Sequence, residues 1–320
     1  MKVYFAPMEG FTDAIYRRAH HQVFSGAEKY FIPFISPTQY DCLTPREKAA
    51  VLPEHNEGVP AVPQVLANRA EAFLWAARTL ADLGYGEVNL NVGCPSGTVT
   101  AKYKGAGMLR DLTTLRAFLD EVFARSPLPV SVKTRIGFNE PEEWEAILAL
   151  YRQYPIHELT IHPRTRAQYY KGKVWPEAFA RAREALTVPL AYNGDVFSPE
   201  DAARIAQRCP GAAVMLGRGL LTDPALARQL HGGRGLNVDE VRRFHDVLYE
   251  GYLARYPKNI AVWRMCDAMK YLSLAFEEPH KCIKAMRKAR GEAEYLDAVH
   301  RLLDEHPLRQ EPYFSPEMQR

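Results

Sequence analysis

Several things are scarce in this chain, and each scarcity closes a route. No run of about 18 apolar residues occurs among its 320 residues, so nothing reads as a membrane-spanning helix. Met1-Lys2-Val3-Tyr4-Phe5 enters an apolar strand without the pattern of a signal peptide. The expectation is a cytoplasmic monomer with no membrane or protein partner. The five cysteines, Cys42, Cys94, Cys209, Cys266 and Cys282, are odd in number, dispersed and never spaced C-x-x-C, which argues against a disulfide framework and a zinc ribbon alike. No metal is expected. Charge of one sign is also scarce: 41 Lys+Arg against 38 Asp+Glu leave a formal net charge of +3. So small an excess does not announce a nucleic acid, and any such surface must come from where the charges stand.

What is present is an alternation. With 47% hydrophobic content the chain can bury a full-sized core and a second, smaller unit. Apolar, β-branched runs at 3–7, 30–36, 61–66, 87–91, 129–134, 158–162, 188–192 and 212–216 read as strands. Most are followed by a helical pattern. Start signals stand at Asn68 with Glu71, Asn139 with Glu142, Ser198-Pro199-Glu200-Asp201 and Asp223-Pro224, and Gly84 stops a helix. Eight β-then-α units in about 230 residues have the length and rhythm of a (β/α)8 TIM barrel, and fit a doubly wound open sheet less well. After Gly232-Gly233-Arg234-Gly235, which has the composition of a linker, four helical patterns at 238–256, 259–276, 279–290 and 292–303 suggest a small C-terminal helical bundle. The expected units are a barrel over 1–232, a helical domain over 237–306, and a polar tail over 307–320 with no assigned structure.

The stretch Val88-Asn89-Leu90-Asn91-Val92-Gly93-Cys94-Pro95 ends a strand in a broken backbone around a thiol, where a barrel enzyme puts its chemistry. A lone cysteine is far more often a small buried hydrophobe. Across such a barrel, the loops after strands seven and eight commonly bind a phosphate through backbone N–H groups. Here they read Asn193-Gly194-Asp195 and Gly217-Arg218-Gly219. Glycine admits close approach and Arg218 adds a charge; ordinary strand-to-helix turns share this composition, but both loops fall at the expected strands. Asp195 is awkward beside an anion, so only its backbone should face a phosphate. Lys133 and His162, at the ends of strands five and six, are placed to sit over one edge of a planar cofactor. A solvated rim lysine and a capping histidine are the ordinary alternatives. Gln64 offers a donor and an acceptor to an imide-like edge, or satisfies backbone in the packed barrel.

Together, Ala6-Pro7-Met8-Glu9-Gly10-Phe11-Thr12-Asp13, Leu90-Asn91-Val92-Gly93-Cys94-Pro95, Lys133-Thr134-Arg135-Ile136-Gly137, His162-Pro163-Arg164-Thr165, Asn193-Gly194-Asp195 and Gly217-Arg218-Gly219 resemble the ordered motif set of the tRNA-dihydrouridine synthases. The match spans roughly 3–232, with the helical remainder in the place of that family's RNA-binding domain. The resemblance implies an FMN-dependent enzyme that reduces the C5=C6 bond of particular tRNA uridines, with NADPH as reductant. It implies that Cys94 is a general acid delivering a proton to C5, since a thiol is protonated at rest and can still yield its proton. It places Pro7, Met8, Gln64, Lys133 and His162 against the flavin ring or ribityl chain. Asn193, Gly194, Asp195, Gly217 and Arg218 fall at the phosphate end, Asn91 between cofactor and base, and Arg164 near the substrate. Asn89 departs from the family's commonest pattern, which is acidic there; its side chain is expected in the barrel wall or helix layer.

A base stacked inside tRNA must be extruded to be reached, and Phe34, Tyr103 and Tyr169 are candidate stacking partners. The stretch 100–104 reads as a mobile loop whose Lys102 and Lys104 can reach phosphate, or as a solvated loop. In the stretch 280–290, Lys281, Lys284, Arg287 and Lys288 share one helical face, with Ile283 and Met286 towards another. A basic face opposite an apolar one suits a docked helix presented to RNA; a solvated face is the plainer reading. Arg264 and Lys270 are candidates to extend it. Two other functions remain open from the residues alone: a flavin-dependent barrel acting on a free pyrimidine or small enone, and a non-catalytic RNA-binding protein.

Overall fold

The structure, a computed structural model, describes residues 1–38 and 42–310. Eight strands, β1 (Val3–Phe5), β2 (Lys29–Ile35), β3 (Ala61–Val65), β4 (Val88–Val92), β5 (Val130–Gly137), β6 (Leu159–Thr165), β7 (Leu190–Tyr192) and β8 (Ala213–Leu216), lie parallel in sequence order. β8 pairs with β1, so the sheet closes into a barrel and the open-sheet alternative falls. Helices α1 (Ala14–Val23), α2 (Pro45–Val51), α3 (Ala70–Asp82), α4 (Gly97–Thr100), α5 (Leu112–Arg125), α6 (Trp144–Tyr151), α7 (Pro176–Ala185), α8 (Pro199–Arg208), α9 (Arg218–Thr222) and α10 (Leu226–Leu230) are threaded between and after the strands.

Strand alternation sorts the core into two layers. On β4, Val88, Leu90 and Val92 join the large cluster shared with the helices. The barrel interior is itself divided. Tyr4, Ala6, Phe31, Val62, Ala191, Ala213 and Met215 form a small apolar cluster, while Gln64, Asn89, Asn91, Ser131, Thr160 and His162 are buried polar groups. Asn89 therefore corrects its expected place: Gln64 Nε2 donates to its Oδ1 at 2.7 Å and its own Nδ2 donates to Ser131 Oγ at 2.8 Å, inside the barrel. A period of two puts it on the face of Asn91, two residues on.

Helix starts are legible in part. Ser198 and Asp201 form the expected capping box, and Asp223 accepts from the Ala225 N–H at 2.9 Å. Asn68, however, donates to the Lys102 carbonyl instead of capping α3, and the box expected at Asn139 and Glu142 is made one residue on by Glu140 and Glu143. Gly84, at φ +87°, follows α3 as expected.

Beyond residue 237 come α11 (Val238–Arg255), α12 (Lys258–Leu272), α13 (His280–Lys288) and α14 (Glu292–Glu305). The glycine-rich break before them is not a loose tether: Arg228 and Arg234 both donate to Glu240, at 2.8 and 2.7 Å. The helices dock on the barrel. Phe244 meets Tyr16 and Phe24 edge-on, each at 5.4 Å. Gly251 is needed at the crossing, because a Cβ there would lie 2.6 Å from Ile15 Cγ2. Leu308 bridges to Phe276 and the Arg309 N–H donates to Ala275, so the start of the expected tail is bound; 311–320 lie outside the described residues. Among the described residues no helix is long and apolar enough to cross a membrane, and no His, Cys, Asp and Glu group could hold a metal ion.

Candidate active site

The strands deliver their C-terminal ends to one cavity of about 280 Å³. Pro7 and Met8 after β1, Gln64 on β3, Asn91 and Cys94 at the end of β4, Lys133 on β5 and His162 on β6 line it. So do Asn193, Gly194 and Asp195 after β7, and Gly217 and Arg218 after β8. Arg164 does not line it.

Cys94 is seated by its neighbours. Asn91 Oδ1 accepts the N–H groups of Gly93 and Cys94, at 3.0 and 2.9 Å, turning the chain as the strand ends. Arg135 Nε grips the Gly93 carbonyl at 2.9 Å. Gly105, at φ +57°, closes the turn from the other side, where a Cβ would lie 2.9 Å from Cys94 Cβ. Burial pushes the thiol upward, against the opposing pull of the Ser96 backbone, Arg135 and Lys133. Burial wins, so the thiol keeps its proton at neutral pH, which suits a proton donor better than a nucleophile. The stretch 100–104 is shaped by α4 and the turns after it, and Lys104 folds inward to donate to Ser36 Oγ at 3.0 Å. That removes Lys104 from the expected phosphate-reaching loop, while Lys102 is exposed.

Across the cavity stand the cations. Lys133 Nζ makes no hydrogen bond to any described residue, and burial, then Arg135, lower its pKa to about 7, partly offset by Cys94. His162 is pushed well below its usual range by burial, with Arg135, Lys133, Arg164 and Arg218 adding to the effect, so the ring is neutral. Its Nε2 lies 3.3 Å from Arg164 Nη1. A guanidinium can only donate, so Nε2 accepts and the ring proton sits on Nδ1. Arg164, 1% exposed, forks onto both oxygens of Asp195 and onto the Gly172 carbonyl. Arg164, expected near the substrate, is a buried clamp directly behind His162 in the cavity wall. Asp195, at φ +45°, is also bound by Arg218 Nη2 at 2.9 Å, so its carboxylate is turned to two arginines.

The amide N–H groups of Gly194, Asp195 and Gly217 have no protein acceptor among the described residues. A Cβ on Gly217 would meet Met8 Sδ at 3.0 Å, so the turn approaches its neighbour as closely as glycine allows. Asn193 Nδ2 is occupied by the Met215 carbonyl at 2.8 Å.

Arg135, Tyr170 and Tyr271 are among the lining groups that had no assigned role in the sequence. Arg135 follows Lys133 at the strand period, a signal that was readable. Tyr170 lies 5.4 and 5.5 Å from the Arg135 and Arg218 guanidinium carbons, and Tyr271 comes from α12, meeting Phe11 edge-on at 5.0 Å. No local pattern announces either tyrosine. Of the candidate stacking residues, Phe34 lines the cavity, whereas Tyr103 and Tyr169 are exposed outside it. Lys281, Lys284, Arg287 and Lys288 are exposed on α13, away from the cavity, with Cys282 and Met286 buried beneath. Arg264 leaves that surface, donating to Asp13 Oδ2 at 3.2 Å, while Lys270 and Arg287 share a groove with the exposed Trp263.

A family model described as dihydrouridine synthase (Dus) matches residues 4–290. A probable tRNA-dihydrouridine synthase of Rhodobacter capsulatus is 29% identical over 81% of this chain and 82% of its own length. The tRNA-dihydrouridine(16) synthase of Pseudomonas putida is 30% identical over 78% and 79%. Among solved structures, a morphinone reductase superposes with TM-score 0.52 at 14% identity, over 76% of this chain and 88% of that one. The old yellow enzyme homologue of Zymomonas mobilis does so with TM-score 0.52 at 15% identity, over 80% and 95%. At those identities the structural likeness speaks to the fold alone.

Proposed function

The chain belongs to the dihydrouridine synthase family, and from that premise we propose that it is an FMN-dependent tRNA-dihydrouridine synthase, recharged by NADPH, with a catalytic barrel over 1–232 and a tRNA-binding helical domain over 237–306. The observation that carries this reading is the placement of Cys94 just past the end of β4 in the same cavity as Lys133 and His162, where burial pushes its thiol pKa upward.

The donor set fits a flavin phosphate. Three amides without protein acceptors lie beside Arg218 at one end of the cavity, a place for an anion. Lys133 Nζ makes no hydrogen bond to a described residue, and neutral His162, beside Gly194, offers one N–H. Pro7, Met8 and Gln64 line the same cavity. Bound flavin supplies the hydride for C6 of the uracil. Cys94 delivers the proton to C5, so that the double bond gains one hydride and one proton and the thiol leaves as thiolate. Lys133 and Arg135 lie close enough to favour that thiolate until solvent reprotonates it. Asn91 holds the base edge, and Asp195 with Arg164 keeps Arg218 aimed at the phosphate.

For the RNA, Lys281, Lys284, Arg287 and Lys288 supply phosphate contacts that position the tRNA while the target nucleotide is flipped into the cavity. The test is native purification followed by reaction with tRNA from a strain lacking the gene. Flavin absorbance and NADPH-dependent dihydrouridine at defined positions are expected. A colourless protein that does not take up FMN, or one that reduces free uracil as well as tRNA, overturns the reading.

A further inference from the structure

A continuous file of polar side chains runs inside the barrel from its N-terminal end to the loop that carries Cys94. Adjacent strands bring its members level, Gln64 beside Asn89 and Asn89 beside Ser131. Lys29 Nζ donates to Glu87 Oε2 at 2.7 Å, and Ser131 Oγ donates to Glu87 Oε1 at 2.5 Å. Asn89 Nδ2 donates to Ser131 Oγ at 2.8 Å, Gln64 Nε2 to Asn89 Oδ1 at 2.7 Å, and Asn91 Nδ2 to Gln64 Oε1 at 2.7 Å. Asn91 Oδ1 then receives the backbone N–H groups of Gly93 and Cys94. Asn89, Gln64 and Ser131 are each at most 1% exposed.

The direction of this file is fixed from both ends. Backbone N–H groups only donate, so Asn91 must turn its oxygen to them and its nitrogen to Gln64. Gln64 must therefore turn its oxygen to Asn91 and its nitrogen to Asn89, and Asn89 its nitrogen to Ser131. The serine hydroxyl, already accepting, needs an acceptor for its own proton. A carboxylate only accepts, and Glu87 is the one in reach. Reversing any amide would set two donors or two acceptors against each other in a buried site.

We propose that Glu87, anchored by Lys29 and acting through Ser131 and Asn89, is a positioning residue that fixes which atoms Gln64 and Asn91 present to the cavity and so seats the backbone of Cys94. The remaining N–H and lone pair of Gln64 are thereby offered in one order. A planar imide edge, which alternates acceptors and a donor, distinguishes that order from its reverse. What the cavity receives rests on the function proposed above; the file and its effect on Cys94 do not.

Two measurements on the full-length protein separate these. The first is the alkylation rate of Cys94 by iodoacetamide in cofactor-free protein, followed by peptide mass spectrometry. The second is the FMN dissociation constant. In Ser131→Ala the Cys94 rate should rise about tenfold and FMN affinity fall about tenfold, the scale of one hydrogen bond. Ser131→Thr, which keeps the hydroxyl, should remain within about threefold of the unaltered protein. Adding Asn89→Asp to Ser131→Ala should restore both, because a carboxylate at 89 accepts from Gln64 without a donor behind it. If Ser131→Ala does not fold, Ser131→Cys takes its place in the same comparison. Rates within twofold of the unaltered protein, or a defect that Asn89→Asp does not relieve, overturn the proposal. Failure of the unaltered protein to bind FMN overturns the flavin reading, while the alkylation rates still decide the role of Glu87.

Discussion

At the scale of the residue, Lys133 and Cys94 are opposites made by the same cause. Burial favours the neutral form of each, which keeps the thiol protonated and moves the lysine down to about 7. A lysine depressed in the folded state binds fewer protons there than in the unfolded chain between about pH 7 and 10, so cofactor-free protein should gain stability as pH rises through that window. Lys133→Met should remove this slope and raise the melting temperature at pH 6 by roughly 2 °C, while lowering dihydrouridine formation at least a hundredfold. Calorimetry across the pH series and a tRNA assay check both. Cys94→Ala should retain flavin and lose about 10²–10⁴ in the half-reaction in which tRNA oxidises the reduced flavin; undiminished turnover would remove the thiol from the chemistry. Cys94 was legible because it follows a strand end, and Lys133 and His162 because each stands on an expected strand, although β5 and β6 run on to Gly137 and Thr165, past the expected ends. The pairing of Arg164 with Asp195 was not legible, because a motif fixes neighbours in sequence and this partner lies 31 residues away.

At the scale of the element, tightness at Gly105 is what holds the Cys94 turn. A side chain there meets both a positive φ and the Cys94 Cβ, so Gly105→Ala should cost about 2–4 kcal/mol in urea denaturation and disturb thiol alkylation as well. Helix α13 makes a different prediction. Replacing Lys281, Lys284, Arg287 and Lys288 by Gln should weaken tRNA binding and flatten its log–log salt slope by about 3, with flavin content unchanged. An unaltered slope would move the RNA off this helix. The eight strands were readable because apolar runs of barrel length recur with helices between them. Cap positions were less so: Asn68 and Asn139 resemble caps, yet Asn68 found the Lys102 carbonyl and the second box moved one residue on. Local signals lose when a tertiary partner offers a better bond.

At the scale of the whole molecule, the helical segment is fastened to the barrel by its own geometry. Glu240 pins the glycine-rich break, Arg264 reaches Asp13, and Phe244 covers Tyr16 and Phe24. The sequence suggested a separable unit after Gly232, because composition reports chain flexibility and not the bonds that remove it. Truncation there would uncover an apolar face of α1, so lost RNA binding would be confounded with lost stability. Gly251→Leu is the sharper probe: its side chain must overlap Ile15, and it should lower tRNA affinity at least tenfold while the barrel still takes up FMN. Isothermal titration against each ligand separates the two.

Tyr271 gives that docking an optical signature. It reaches from α12 into the lining of the cavity, so one wall of the proposed flavin site belongs to the segment proposed to meet RNA. A phenol beside an excited isoalloxazine ring quenches its emission by electron transfer. Flavin in the assembled protein should therefore be dark, and withdrawal of α12 should make it brighten, so that flavin fluorescence lifetime, at wavelengths where Trp263 and Tyr271 do not absorb, reads the seating of this helix.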